Sequence, residues 1–112
     1  ANGASLEIPT KGIPNHLLEQ TRKWACDAFK VLECRGMARV DFFMDRVNSK
    51  IYLNEINTIP GFTKISMYPK LWEATGLSYA QLLDELIKLA LDHHGKRHSL
   101  KTSYDVKDWK KD

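Results

Sequence analysis

Two short segments, Met37–Met44 and Lys50–Asn57, flank the polar stretch Asp45, Arg46, Val47, Asn48, Ser49 and constrain this chain more than any other feature. Both are rich in β-branched and aromatic residues, which suit a pleated surface. The connection between them is short enough for an antiparallel hairpin and far too short for a parallel crossover. Side chains alternate across a strand, so Arg39, Asp41 and Phe43 share one face, while Ala38, Val40, Phe42 and Met44 share the other, apolar one. Glu55 and Asn57, two apart, also share a face. Centring the hairpin on Asn48 sets Asp41 opposite Glu55 and Arg39 opposite Asn57.

Directly opposed carboxylates repel unless something positive sits between them. Two readings satisfy that requirement. Oxygen donors from Asp41, Glu55 and Asn57 suit Mg²⁺, which takes one or two carboxylates and completes its shell with water and phosphate. A solvated strand face in which Arg39 pairs with Asp41 or Glu55 would serve equally.

The rest of the chain reads as helices around this hairpin. Apolar residues from Leu17 to Leu32 recur on one helical face behind Pro14, which predicts a helix from about Pro14 to Leu32. Pro69 suits the first turn of a short helix through Trp72 and Ala74, with Gly76 placed to end it. Ser78 and Gln81 form a capping-box pair ahead of a further amphipathic helix expected to end near Leu91. The fold class is α+β: an antiparallel sheet whose two long helices cover one face and leave the other for a site.

A chain of 112 residues, 43% hydrophobic and 28% charged, has the size and composition of one soluble domain. No apolar run approaches the roughly 20 residues that span a bilayer, and the first residues lack the basic-then-apolar order of a signal peptide, so no membrane association is expected. Seventeen Lys and Arg against fourteen Asp and Glu give a net charge of +3. Much of that excess lies between His93 and Asp112. Asp105, Asp108 and Asp112 interrupt the basic run, which argues against nucleic acid as a partner. Cys26 and Cys34 form no CxxC pair and read as free thiols. His93, His94 and His98 sit too close together on one polar stretch for closed metal coordination and read as a solvated tail.

The run from Gly36 to Leu77, and within it GMARVDFF and LNEINTIPGFT, continuing as SMYPKLWEATGLSY to Tyr79, resembles the C-terminal part of the D-alanine:D-alanine ligases of the ATP-grasp superfamily. The resemblance extends back through the first helix and forward to about Ala90. It implies ATP-dependent joining of two D-alanines through an acyl phosphate, in the cytoplasm, for peptidoglycan precursors. The cofactors it implies are ATP and two Mg²⁺ ions, with Mn²⁺ able to substitute.

Position by position, it implies that Asp41 holds one Mg²⁺, Glu55 bridges two and Asn57 completes the second. Arg39 and the Gly61 backbone N–H would stabilise the transferred phosphoryl and the developing oxyanion. Ser66 would bind the second D-alanine, with Met67 beside it. Phe43 and Asn54 would border the adenine pocket. On residue type alone, Arg39 also reads as a surface cation, Gly61 as a turn glycine, Ser66 as a helix cap and Met67 as core.

Full ligases also carry a domain for the first D-alanine, lysines for the ATP phosphates and a mobile loop, and none is found in this sequence. The resemblance therefore implies a C-terminal piece: residues 1–92 as part of the ATP-grasp domain and 93–112 as a basic tail. Its partners would be D-alanine, ATP, the remainder of the ligase polypeptide and a second copy in a homodimer. A D-lactate or D-serine ligase is the alternative enzyme, against which Met67 argues because such enzymes tend to carry a basic residue there. A non-catalytic ATP-grasp remnant is the alternative from another class.

Overall fold

The computed structural model describes residues 6–102. Lys107, Lys110, Lys111, Asp105, Asp108 and Asp112, on which the reading of the basic tail rests, lie outside the described residues.

The first helix, α1, spans Asn15–Val31. Pro14 holds the N-cap position with φ −56° and ψ 140°, so its ring fixes an extended approach without displacing a helical N–H. Leu17 is 6% exposed on the inward face. The helix ends in a Schellman arrangement, Cys34 N–H donating to the Phe29 carbonyl and Glu33 N–H to that of Lys30. Glu33 takes the left-handed position at φ 53°, an uncommon choice that costs roughly 1 kcal/mol relative to glycine.

Strands β1 (Arg39–Met44) and β2 (Ile51–Asn57) form a two-stranded antiparallel sheet. The pairing is Arg39 with Asn57, Val40 with Ile56 and Asp41 with Glu55. It then shifts by one residue, to Phe42 with Leu53, Phe43 with Tyr52 and Met44 with Ile51, which leaves Asn54 as a β-bulge. A hairpin centred on Asn48 throughout is therefore correct only beyond the bulge. Nearer the turn the centre moves half a residue toward Val47.

The bulge has an apolar cause. Ile51, Leu53 and Ile56 can all join the Val40, Phe42 and Met44 face only if one extra residue separates Leu53 from Ile56. That face is the one α1 covers, with Leu17, Leu18 and Thr21 lining a shared cleft with Val40, Phe42, Met44 and Ile51.

Helix α2 spans Met67–Ala74 and begins two residues before Pro69. Its end is a second Schellman motif, with Gly76 at φ 98° donating to Glu73 and Leu77 donating to Trp72. The capping box forms as expected: Ser78 N–H donates to Gln81 Oε1 at 2.9 Å and Gln81 N–H to Ser78 Oγ at 3.3 Å.

Helix α3 runs from Tyr79 to Thr102, well past the expected end at Leu91. Nothing between Asp92 and Thr102 breaks a helix. Proline is absent, and Gly95 costs only about 1 kcal/mol against the good helix formers around it. The expectation that α3 would cover the sheet also needs correcting, because α3 packs chiefly on α2 while α1 packs on the strands. Tyr68 is 7% and Leu82 3% exposed at the α2–α3 junction, each contributing about 1.5–3 kcal/mol of burial. Phe62 packs in tilted contact with Tyr68 and Tyr79, with centroids 5.8 and 5.5 Å away, which ties the preceding loop to both helices.

Candidate active site on the hairpin and the loop after it

The antiparallel register places Arg39, Asp41, Glu55 and Asn57 on one face of the sheet. Arg39 grips Asp41 with a two-pronged contact, Nε to Oδ1 and Nη2 to Oδ2, each 3.0 Å. The same Nη2 reaches Glu55 Oε1 at 3.5 Å. One guanidinium thus bridges the two opposed carboxylates. The hydrogen bond to Asp41, reinforced by its charge, holds the Arg39 pKa above an already high ordinary value.

All three side chains remain partly open, at 27% for Arg39, 37% for Asp41 and 53% for Glu55. The ion pair is therefore worth little as stability and is free to rearrange around a ligand. Asn57 Oδ1 accepts from Ile59 N–H at 3.0 Å, an Asx turn that fixes the amide at the strand end.

Among the described residues no cluster of three or more His, Cys, Asp or Glu could hold a metal ion. The set Asp41, Glu55 and Asn57 is a different type, two carboxylates and one amide carbonyl. These are hard oxygen donors of the kind Mg²⁺ accepts alongside phosphate. The chemistry fits, and in this structure Arg39 supplies the positive charge between the carboxylates.

Phe43 lies on the Asp41 face and is 62% exposed. Its cross-strand partner Tyr52, 51% exposed, stands on the same face because the bulge reverses the alternation of β2. Strict alternation puts Tyr52 on the opposite side, so sequence reasoning missed it. The signal that could have found it is the apolar spacing of Ile51, Leu53 and Ile56. Asn54 is the bulge residue itself and has no partner on β1.

The second group of expected residues lies on the loop after β2. A Cβ added to Gly61 would come 3.1 Å from Ser66 Oγ, so the two residues are in close approach. Ser66 occupies the N-cap position of α2 with φ −71° and ψ 151°, yet its side chain makes no capping bond. Its hydroxyl instead accepts from Thr63 N–H at 3.0 Å and pairs with Thr63 Oγ1 at 2.7 Å. Tyr79 Oη donates to the Phe62 carbonyl at 2.8 Å and pins the same loop to α3. Met67, the first residue of α2, is half-buried. Among the described residues no hydrogen bond or ion pair joins this loop group to the Arg39 group.

Similarity to known proteins covers most of the chain. A D-alanine–D-alanine ligase of Thermoanaerobacter sp. (strain X514) is 58% identical over 95 residues, covering 85% of this chain and 26% of the relative. The structure of the D-alanine–D-alanine ligase from Coxiella burnetii superposes with a TM-score of 0.82 at 52% identity, covering 88% of this chain and 28% of that one. The Bacillus anthracis D-alanine–D-alanine ligase complexed with ATP gives 0.70 at 34% identity, covering 76% and 29%. The chain thus spans about a quarter of the length of the curated relatives it matches. With helices around an antiparallel strand pair, it has the fold of the C-terminal part of an ATP-grasp domain. Residues 1–88 match the family model described as the D-ala D-ala ligase C-terminus, and the chain belongs to that family.

Proposed function

We propose that this chain is the C-terminal part of an ATP-dependent D-alanine:D-alanine ligase and supplies its metal-binding and acceptor-side residues for peptidoglycan precursor synthesis in the cytoplasm. The observation that carries the reading is the Asp41–Glu55 pair, directly opposed across the strands and spanned by Arg39, in a chain of a ligase family. A protein gains nothing in stability from facing two carboxylates on an open surface. The arrangement makes sense as a place where positive charge is exchanged.

Asp41, Glu55 and Asn57 would hold Mg²⁺, and Mg²⁺ bound there would neutralise the charge of the nucleotide phosphates. With Asp41 occupied, the Arg39 guanidinium is released to meet negative charge that grows on the transferred phosphoryl group. The Gly61 N–H has no acceptor among the described residues and would donate to the oxyanion formed as the amine of one D-alanine attacks the acyl phosphate of the other. Ser66, held back by Thr63 rather than spent on capping α2, keeps a hydroxyl for the acceptor carboxylate. Met67 packs beside that substrate. Phe43 and Asn54 border the adenine, and Tyr52 extends their surface.

Several large apolar side chains, among them Ile59 at 83% and Ile65 at 80% exposed, lie open on this chain. In the proposed enzyme the remainder of the polypeptide, which brings the first D-alanine and the phosphate-binding lysines, covers such surface.

The test is phosphate release by the full ligase polypeptide with ATP, Mg²⁺ and each of D-alanine, D-lactate and D-serine as acceptor. D-alanine is expected to support turnover and dipeptide formation. Preferential use of D-lactate or D-serine, or no amino-acid-dependent phosphate release, would overturn the assignment.

A further inference from the structure

A second polar site lies away from the hairpin, where the connection after α1 meets the far end of α3. His93, Lys96, Arg97 and Leu100 recur at the spacing of one helical face, and Arg35, 58 residues before His93, closes the opposite side. Together they line an open cleft of about 680 Å³. Arg35 Nη1 lies 2.8 Å from His93 Nδ1 and also contacts His93 Nε2. A guanidinium only donates, so this contact requires a neutral imidazole.

We propose that this cleft binds an oligophosphate anion at a site separate from the hairpin. Among the described residues every charged side chain lining it is basic and no carboxylate contributes. On exposed helix faces Lys23 pairs with Asp27 at 2.7 Å and Lys88 with Glu85 at 3.1 Å. Among the described residues Arg35, Lys96 and Arg97 form no such pair. Asp92, one helical turn before Lys96, neither pairs with it nor lines the cleft.

Three like charges brought together from two elements repel, and a multivalent anion relieves that repulsion at each of them. The two arginines offer planar forks that match phosphate oxygens, and Lys96 adds a point charge. Partial burial, then the charges of Arg35 and Arg97, push the His93 pKa below its ordinary value, which agrees with the same crowding of positive charge. Three cations from two elements offer contacts to more than one phosphate group. A di- or triphosphate suits it better.

The experiment is calorimetric titration of the 112-residue chain with sodium tripolyphosphate at about 0.1 M salt, where exposed charges further apart than about 10 Å are screened. One equivalent is expected to bind. Lys96→Ala with Arg97→Ala should weaken binding about tenfold or more, since two charge-assisted contacts are lost. Alanine is the best helix former, so α3 should keep its circular dichroism. Removing the same charge elsewhere, with Lys50→Ala and Lys64→Ala, should weaken binding less than about twofold. Equal weakening by the two double variants, or no heat of binding to the parent chain, would overturn the proposal.

Discussion

Asp41 and Glu55 stand opposite each other because the strand register leaves them no alternative, and Arg39 is what makes the arrangement tolerable without a ligand. In the proposed enzyme the guanidinium and a metal ion would compete for the same carboxylate oxygens. Arg39→Ala should therefore tighten Mg²⁺ or Mn²⁺ binding at the hairpin, measured by Mn²⁺ paramagnetic resonance, while lowering metal-free stability by about 1 kcal/mol through the uncompensated repulsion. Ligation should nonetheless fall, because the charge that meets the transferred phosphoryl is gone. Unchanged metal affinity in this variant would mean that the cation binds elsewhere. The residues of this patch were legible in the sequence because side chains alternate along each strand and the centring on Asn48 holds beyond the bulge, where Arg39, Asp41, Glu55 and Asn57 meet. Tyr52 was not, because one bulge residue, Asn54, inverts that alternation halfway along β2.

The helices show a similar division. Ser78 with Gln81 and Gly76 after Ala74 announced one start and one stop through side-chain and backbone chemistry that acts within a few residues. The end of α3 carried no such local signal, and the helix continues to Thr102. Glu33 in a left-handed position is likewise invisible to a reading that expects glycine there. The loop between β2 and α2 matters most at this scale, since it carries Gly61 and Ser66 and is fastened by the hydrogen bond from Tyr79 to Phe62. Tyr79→Phe should cost about 1 kcal/mol in urea unfolding, the net worth of one hydrogen bond. In the full ligase it should raise KM for the acceptor D-alanine more than it lowers kcat. An unchanged acceptor KM would show that the loop is held by its aromatic packing alone.

At the scale of the whole chain, a radius of gyration of 19.6 Å contrasts with about 13 Å for a compact domain of 100 residues. Among the described residues only Leu17, Tyr68 and Leu82 form a buried hydrophobic core. In the proposed enzyme such exposed apolar area would be covered by the remainder of the polypeptide. Among the described residues no helix is long and apolar enough to cross a membrane. The 112 residues alone should show no ligase turnover, since one quarter of a ligase's length leaves most of the expected substrate contacts to the remainder. D-alanine-dependent phosphate release from this chain by itself would contradict that division of labour.

The most direct measurement of the central claim is turnover and thermal stability of Glu55→Gln in the full ligase polypeptide. Glutamine keeps the volume and strand position of Glu55 while removing one of the two opposed charges. Metal-free Tm should stay equal or rise slightly, because lost repulsion with Asp41 offsets the long contact to Arg39. Each metal ion contributes several kcal/mol to a transferring phosphoryl group, so turnover should fall by roughly three orders of magnitude or more even at saturating Mg²⁺. Near-normal turnover, or a variant that unfolds, would make Glu55 a structural residue and remove the hairpin from the catalytic site.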